Sequence, residues 1–139
     1  MTDPETTRTA AQDVILQYAA CIDELDFDRY RDCFVDDCEF VGFGRETICG
    51  ANAWVKFVEK TVEPFSATQH MLGPPLTTIE GERAFLRTDL QAQHFLREPE
   101  GRIFTLWGTY RSELSRDAVG NWRMTRHELI VRATRTSDA

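Results

Sequence analysis

The chain predicts an α+β fold in which three N-terminal helices pack against one strongly curved, mostly antiparallel sheet. As far as Val62, apolar residues recur mainly at three- and four-residue spacing, the period of helices. After Pro64 they alternate, the period of strands. The alternating segments are long, and a sheet of long strands must curl to bury one face, so it is expected to wrap the helices. With 139 residues, 42% of them hydrophobic, residues 1–139 are expected to form one domain around one core with room for a small pocket.

The first dozen residues are polar and are expected to fray, which puts the start of the first helix between Thr9 and Asp13. Val14, Ile15, Tyr18, Ala19 and Ile22 then share one helical face. Asp23 and Glu24 lie in the last turn, where the helix dipole disfavours negative charge by roughly 0.3–1 kcal/mol each at exposed positions. Asp26 is placed to cap a second short helix, Phe27 to Phe34, with Asp28 in its first turn. Asp23 has no such structural reason to be there, which marks it as a candidate functional residue. Cys38 to Phe43 alternates as a strand, Gly42 and Gly44 loosen its end, and Arg45 and Glu46 turn the chain. A third helix opens at Gly50, carries Ala53, Trp54, Phe57, Val58 and Val62 on one face, and stops before Pro64.

Strands follow at Ser66 to Leu72, Leu76 to Ile79, Arg83 to Leu96, Ile103 to Arg116 and Trp122 to Thr134, each ended by a glycine-, proline- or acid-rich turn. In the Arg83 to Leu96 strand, Ala84, Leu86, Thr88, Leu90, Ala92, His94 and Leu96 share one face, opposite Arg87, Asp89, Gln91 and Gln93. Around Ile103, Phe104 and Trp107, one parity of apolar groups cannot be buried inside a single subunit, so a homodimer through the sheet is expected.

Composition narrows the function. A net charge of −7 argues against nucleic acid or an anionic membrane as partner, because both select basic patches. No apolar run reaches the roughly 18–20 residues that span a bilayer, and the N-terminal residues lack the basic head and apolar core of a signal peptide, so a cytoplasmic location is expected. Cys21, Cys33, Cys38 and Cys49 have no CxxC spacing and are expected to be buried, inert thiols. His70, His94 and His127 are too scattered to form a metal motif readable in sequence. A neutral, hydrophobic small molecule remains as the expected partner.

The residues Tyr18, Ile22-Asp23, Asp26-Phe27-Asp28, Thr68-Gln69-His70-Met71-Leu72-Gly73, Gly81-Glu82-Arg83-Ala84, Gly108-Thr109-Tyr110 and Gly120-Asn121-Trp122-Arg123-Met124 together resemble the SnoaL-like branch of the NTF2-like superfamily. The resemblance runs from about Ala11 to Arg132 and implies a cone-shaped α+β fold. That superfamily hosts scytalone and bile-acid dehydratases, a dehydrochlorinase, polyketide cyclases, ketosteroid isomerase, epoxide hydrolases and dioxygenase small subunits, so fold alone does not fix activity. The dehydratase and dehydrochlorinase members share an aspartate at the end of the first helix and a histidine on the strand after the third. These positions match Asp23 and His70.

The resemblance therefore implies that His70 removes a proton from carbon, with Asp23 orienting it, in a cofactor-independent elimination or isomerisation of a cyclic, polyketide-like or steroid-like molecule. Histidine suits that task because its charge changes near neutral pH, and a carboxylate behind it fixes the tautomer. Tyr18 matches the tyrosine of the bile-acid dehydratase, and Tyr110 is the best further candidate for an electrophilic partner. Phe40, Trp54, Phe57, Leu72, His94 and Trp122 are expected to line the substrate pocket. No counterpart is found for scytalone dehydratase's other histidine and tyrosines: Ile22, Val41-Gly42 and Gly108-Thr109 stand in those neighbourhoods, which argues against scytalone-type chemistry. Arg87-Thr88-Asp89 reads either as the arginine and acid of an epoxide hydrolase or as a surface ion pair. Replacing Asp23 is expected to spare folding and even to raise the melting temperature. The rival to an enzyme is a ligand-binding or assembly module comparable to a dioxygenase small subunit.

Overall fold

Helix formation starts earlier than the polarity of the N-terminus suggests. In the computed structural model, which describes residues 3–138, helix α1 spans Pro4–Glu24 rather than beginning near Thr9. Asp3 caps it by accepting from the Thr6 backbone N–H, and Pro4 takes a first-turn position where no N–H is needed. The helix ends at Leu25, which adopts the left-handed conformation at φ 58° while its N–H reaches the carbonyls of Cys21 and Ile22. A β-carbon in that conformation costs roughly 1 kcal/mol or more, and the side chain is exposed. Leu25→Gly is expected to stabilise the fold by about 0.5–1 kcal/mol in urea denaturation. A fall in stability would show that the leucine side chain makes up for its strained backbone.

Helix α2 is Phe27–Arg31, capped by Asp26, and ends three residues before the expected Phe34 because Phe34 already begins strand β1, Phe34–Val41. That strand starts and stops earlier than the expected Cys38 to Phe43. A two-residue strand β2, Ile48–Cys49, pairs with it and has too little length to show a period in sequence. It lies at the sheet edge and leaves Cys49 exposed, which corrects the expectation that all four thiols are buried. Helix α3, Ala51–Val62, starts at Gly50, whose φ of 99° explains the glycine. Its Trp54 and Val58 are buried.

The remaining strands are β3 (Phe65–Leu72), β4 (Leu76–Glu80), β5 (Arg83–Leu96), β6 (Arg102–Arg116) and β7 (Trp122–Asp138). The seven strands form one sheet in the order β2-β1-β7-β6-β5-β3, with β4 also on β5. All pairs are antiparallel except β1 with β7. The sheet bends where β7 carries one extra residue opposite β6, Arg132 across from Trp107 and Gly108 and Thr125 across from Glu113 and Leu114. Gly108 is required there: a β-carbon would sit 2.9 Å from the Ile130 carbonyl oxygen. The curved sheet wraps the helices without closing into a barrel. α1 packs on β3 and β7, whereas α3 packs on α2, β1 and β2 and stands off from β3, β5 and β6. That gap is the cavity described next. Among the described residues no helix is long and apolar enough to cross a membrane.

Candidate active site

Strand parity decides which side chains of β3 face the helices. Thr68, His70 and Leu72 turn inward, while Gln69 and Met71 are exposed, as a two-residue period requires. Inward of β3 lies the end of α1, and there Asp23 meets three groups of one strand. Its Oδ1 lies 2.8 Å from His70 Nδ1 and accepts from the Thr68 hydroxyl at 3.0 Å, and its Oδ2 accepts from the His70 backbone N–H at 2.9 Å. A carboxylate can only accept, so Nδ1 of His70 carries the hydrogen and Nε2 is the free, basic nitrogen. The His70 side chain is 9% exposed and that of Asp23 21%. The acid at the helix end therefore ties α1 to β3. The expected rise in melting temperature on replacing it does not follow from this geometry, because removal also breaks the bonds to Thr68 and to the backbone.

His70 faces a cavity of about 280 Å³ between α3, the end of α1 and the inner sheet face. The structure places Trp54, Phe57 and His94 in its wall, together with Tyr18 and Tyr110. Tyr30, Phe43, Phe65, Phe104 and Leu129 also line it and were not expected to. Three expected lining residues lie elsewhere. Phe40 is buried behind Trp54, stacked on it at 4.2 Å; Leu72 sits in an outer groove between α1 and β3; Trp122 lies at the far end of β7 beside Ala10 and Cys33. The Arg87–Asp89 pair, 3.2 Å apart, is on the outer sheet face, where the Thr109 hydroxyl donates to Asp89. It is a surface ion pair removed from the cavity.

The polar groups of the cavity fall into two sets. One is a cluster of hydroxyls. Trp54 Nε1–H donates to Tyr30 Oη at 2.8 Å, and the Tyr18 ring packs against those of Tyr30 and Tyr110 with ring centres 5.2 and 5.6 Å away. Burial holds all three phenols well above their ordinary range, so they remain neutral hydrogen-bond donors. The other set is a pair of imidazoles. His94 stands 5.9 Å from His70, ring centre to ring centre, and its Nδ1 lies 3.1 Å from the Phe104 carbonyl oxygen. A carbonyl also only accepts, so His94 likewise keeps Nε2 free. Desolvation lowers its pKa and favours the neutral ring.

His127, for which sequence offers no role, packs against Tyr18 and Tyr110 at 4.6 and 4.5 Å and is fully buried. Its Nδ1 lies 2.9 Å from the Ser112 hydroxyl, Nε2 has no partner, and desolvation depresses its pKa to about 3. Unfolding releases it to an ordinary value of about 6.5, so the unfolded state binds the extra proton between these limits. Stability is therefore whole above pH 6.5 and falls as pH drops towards 3, by about 1.4 kcal/mol per pH unit at most from this group. His94 acts in the same sense. Between pH 6.5 and 5, before most carboxylates titrate, urea denaturation should show a loss of about 1.6 kcal/mol from His127 that is absent in His127→Gln. Equal pH slopes in the two proteins would contradict this.

The SnoaL-like domain family matches residues 5–128. A protein from Novosphingobium aromaticivorans provisionally named as a scytalone dehydratase is 22% identical, with a TM-score of 0.87 over all of this chain and 93% of that one. A second protein from that organism, provisionally named as an aromatic ring hydroxylase, is 27% identical, with a TM-score of 0.84 over 99% of this chain and 96% of the other. A hexachlorocyclohexane dehydrochlorinase from Novosphingobium barchaimii is 18% identical, with a TM-score of 0.85 over 96% and 91%. No curated protein matches the chain.

Proposed function

Because the chain belongs to the SnoaL-like domain family, we propose that it is a cofactor-independent lyase or isomerase that removes a proton from carbon in a hydrophobic small molecule. The single observation that carries this reading is the Asp23–His70 pair, with one nitrogen of the ring held by the carboxylate and the other free beside an apolar cavity. His70 Nε2 takes the proton, Asp23 stabilises the imidazolium, and a hydroxyl of the Tyr18 and Tyr110 cluster donates to the carbonyl oxygen as negative charge develops there. His94 accepts from a ligand hydroxyl. The volume argues for a small ligand: about 280 Å³ is roughly twice the ~150 Å³ cavity that takes one benzene. One or two rings fit better than the four of a steroid.

The test is to extract and identify by mass spectrometry the small molecule retained in the cavity of protein purified from its own host, then to return it to the enzyme. The expected molecule is a one- or two-ring compound with a leaving group near a C–H acidified by a carbonyl, and it should lose that group, or isomerise, only when His70 is intact. Retention of a molecule with no acidic C–H, unchanged on incubation, would sink the proposal. The rival reading, a non-catalytic module of a larger hydroxylase assembly, draws on the ring-hydroxylase likeness. Copurification of a large oxygenase subunit, without turnover, would favour it.

Assembly is a further part of the proposal. Phe104 turns into the cavity, which leaves Ile103 and Trp107 on the outer face, half-buried. A second copy covering that face would bury them, so light scattering at micromolar concentration should give the mass of a dimer. A monomer mass would remove the idea.

A further inference from the structure

The Asp23 carboxylate accepts three hydrogen bonds, and only one of them comes from the imidazole it orients. We propose that Thr68 is a positioning residue for the base: its hydroxyl fixes the Asp23 carboxylate so that Oδ1 stays on His70 Nδ1 and Nε2 stays bare towards the cavity. The inference rests on the reading of His70 as the base.

Geometry is the first support. The terminal torsion of an aspartate is broad, so one anchor locates one carboxylate oxygen and leaves the other free to swing. Besides the ring, each oxygen of Asp23 has an anchor of its own. The His70 backbone N–H holds Oδ2 at 2.9 Å, and the Thr68 hydroxyl holds Oδ1 at 3.0 Å, the same oxygen that lies 2.8 Å from Nδ1. A carboxylate only accepts, so the hydroxyl is the donor. Two anchors on two atoms set the carboxylate plane. Placement is the second support. Thr68 and His70 are two residues apart on β3, so their side chains leave the same face of the strand and meet one acid. Need is the third. Asp23 lies in the last turn of α1, where the dipole disfavours its charge, and its side chain is 21% exposed, so water can compete for Oδ1. Among the described residues no other side chain donates to this carboxylate in place of Thr68. Once Oδ1 turns away towards water, Nδ1 has no acceptor and the ring hydrogen is free to move to Nε2, where it blocks proton removal from carbon.

The test is the exchange of the His70 Nδ1 proton with water, followed by NMR of the ¹⁵N-labelled whole chain at neutral pH with no ligand added. Exchange requires the contact between Nδ1–H and Oδ1 to open, so its rate reports how firmly the carboxylate is held. Thr68→Val keeps the shape and loses the hydroxyl, whereas Thr68→Ser keeps the hydroxyl and loses the methyl. Exchange should speed up by about three- to tenfold in Thr68→Val, the equivalent of one hydrogen bond, and by less than about twofold in Thr68→Ser. Circular dichroism should confirm that the variants are folded, and Thr68→Ala replaces Thr68→Val if the branched side chain does not fold. Equal exchange in the parent and the variant without the hydroxyl overturns the proposal. So does faster exchange in Thr68→Ser than in Thr68→Val, which would mean that packing of the methyl holds the site. A parent in which His70 Nδ1 carries no hydrogen overturns the lyase reading along with this one, so the two failures are told apart.

Discussion

His70→Ala should lower kcat/KM by about 10²–10⁴-fold, the usual contribution of a general base, while leaving ligand binding and folding largely intact. The loss should fall mainly on kcat, because the imidazole acts on a proton in flight and provides little of the apolar cavity that holds the ligand. The His70 side chain is 9% exposed but lies at the cavity wall, outside the apolar core cluster that holds Trp54, so its removal enlarges the cavity without collapsing the fold. Steady-state kinetics on the identified substrate, with ligand affinity measured separately, separates the two effects. Near-parental kcat/KM in a folded, ligand-binding variant would end the catalytic assignment.

Asp23→Asn should be nearly as damaging, up to about 10⁴-fold in kcat, although it changes one atom. The carboxylate accepts from Thr68, from the His70 backbone and from His70 Nδ1. An amide keeps one acceptor oxygen, which in the Oδ2 place still accepts from the His70 backbone N–H, while its NH₂ takes the Oδ1 place and can donate to the Thr68 hydroxyl oxygen. Its NH₂ then faces His70 Nδ1 and favours the tautomer with hydrogen on Nε2, which removes the base from the cavity. The charge that stabilises the imidazolium is lost as well. Because both residues act on one proton, the double variant should lose much less than the product of the two single effects. Stability should fall little in Asp23→Asn and by about 1–3 kcal/mol in Asp23→Ala, which leaves buried donors on β3 without a partner. Kinetics and urea denaturation of the three proteins check both statements; strictly multiplicative losses would show that Asp23 and His70 do not act as a unit.

The pairing of Asp23 with His70 was expected from the resemblance, and the local pattern of each residue agrees with where the structure puts it. Asp23 sits against a helix dipole, and His70 has the parity of Thr68 and Leu72 on an alternating strand. The rest of the cavity depended on features that leave no period. Tyr30 rides on a five-residue helix, and Phe43 lies in a loop between two glycines. The meeting of His94 with His70 follows from strand register: Thr68 lies opposite His94 and His70 opposite Ala92, so the two histidines are diagonal neighbours on one face. A shift between Phe65 and Ala67 helps set that register, and no residue type announces it. Trp122 had the right parity for burial, yet its distance along β7 from the cavity could not be read from alternation. Phe40 had the right parity too, but Trp54 stands between it and the space. The helix and strand order survived, while the boundaries moved wherever a short element, such as β2, offered too few residues to show a pattern.

The central claim is that Asp23 holds His70 with a free Nε2 facing the cavity, and ¹⁵N NMR of the imidazole nitrogens tests it without any substrate. In neutral His70 the account predicts a protonated Nδ1 and a bare Nε2, with the two reversed in Asp23→Asn. A protonated Nε2 in the parent protein, or a tautomer that does not respond to Asp23→Asn, would contradict it.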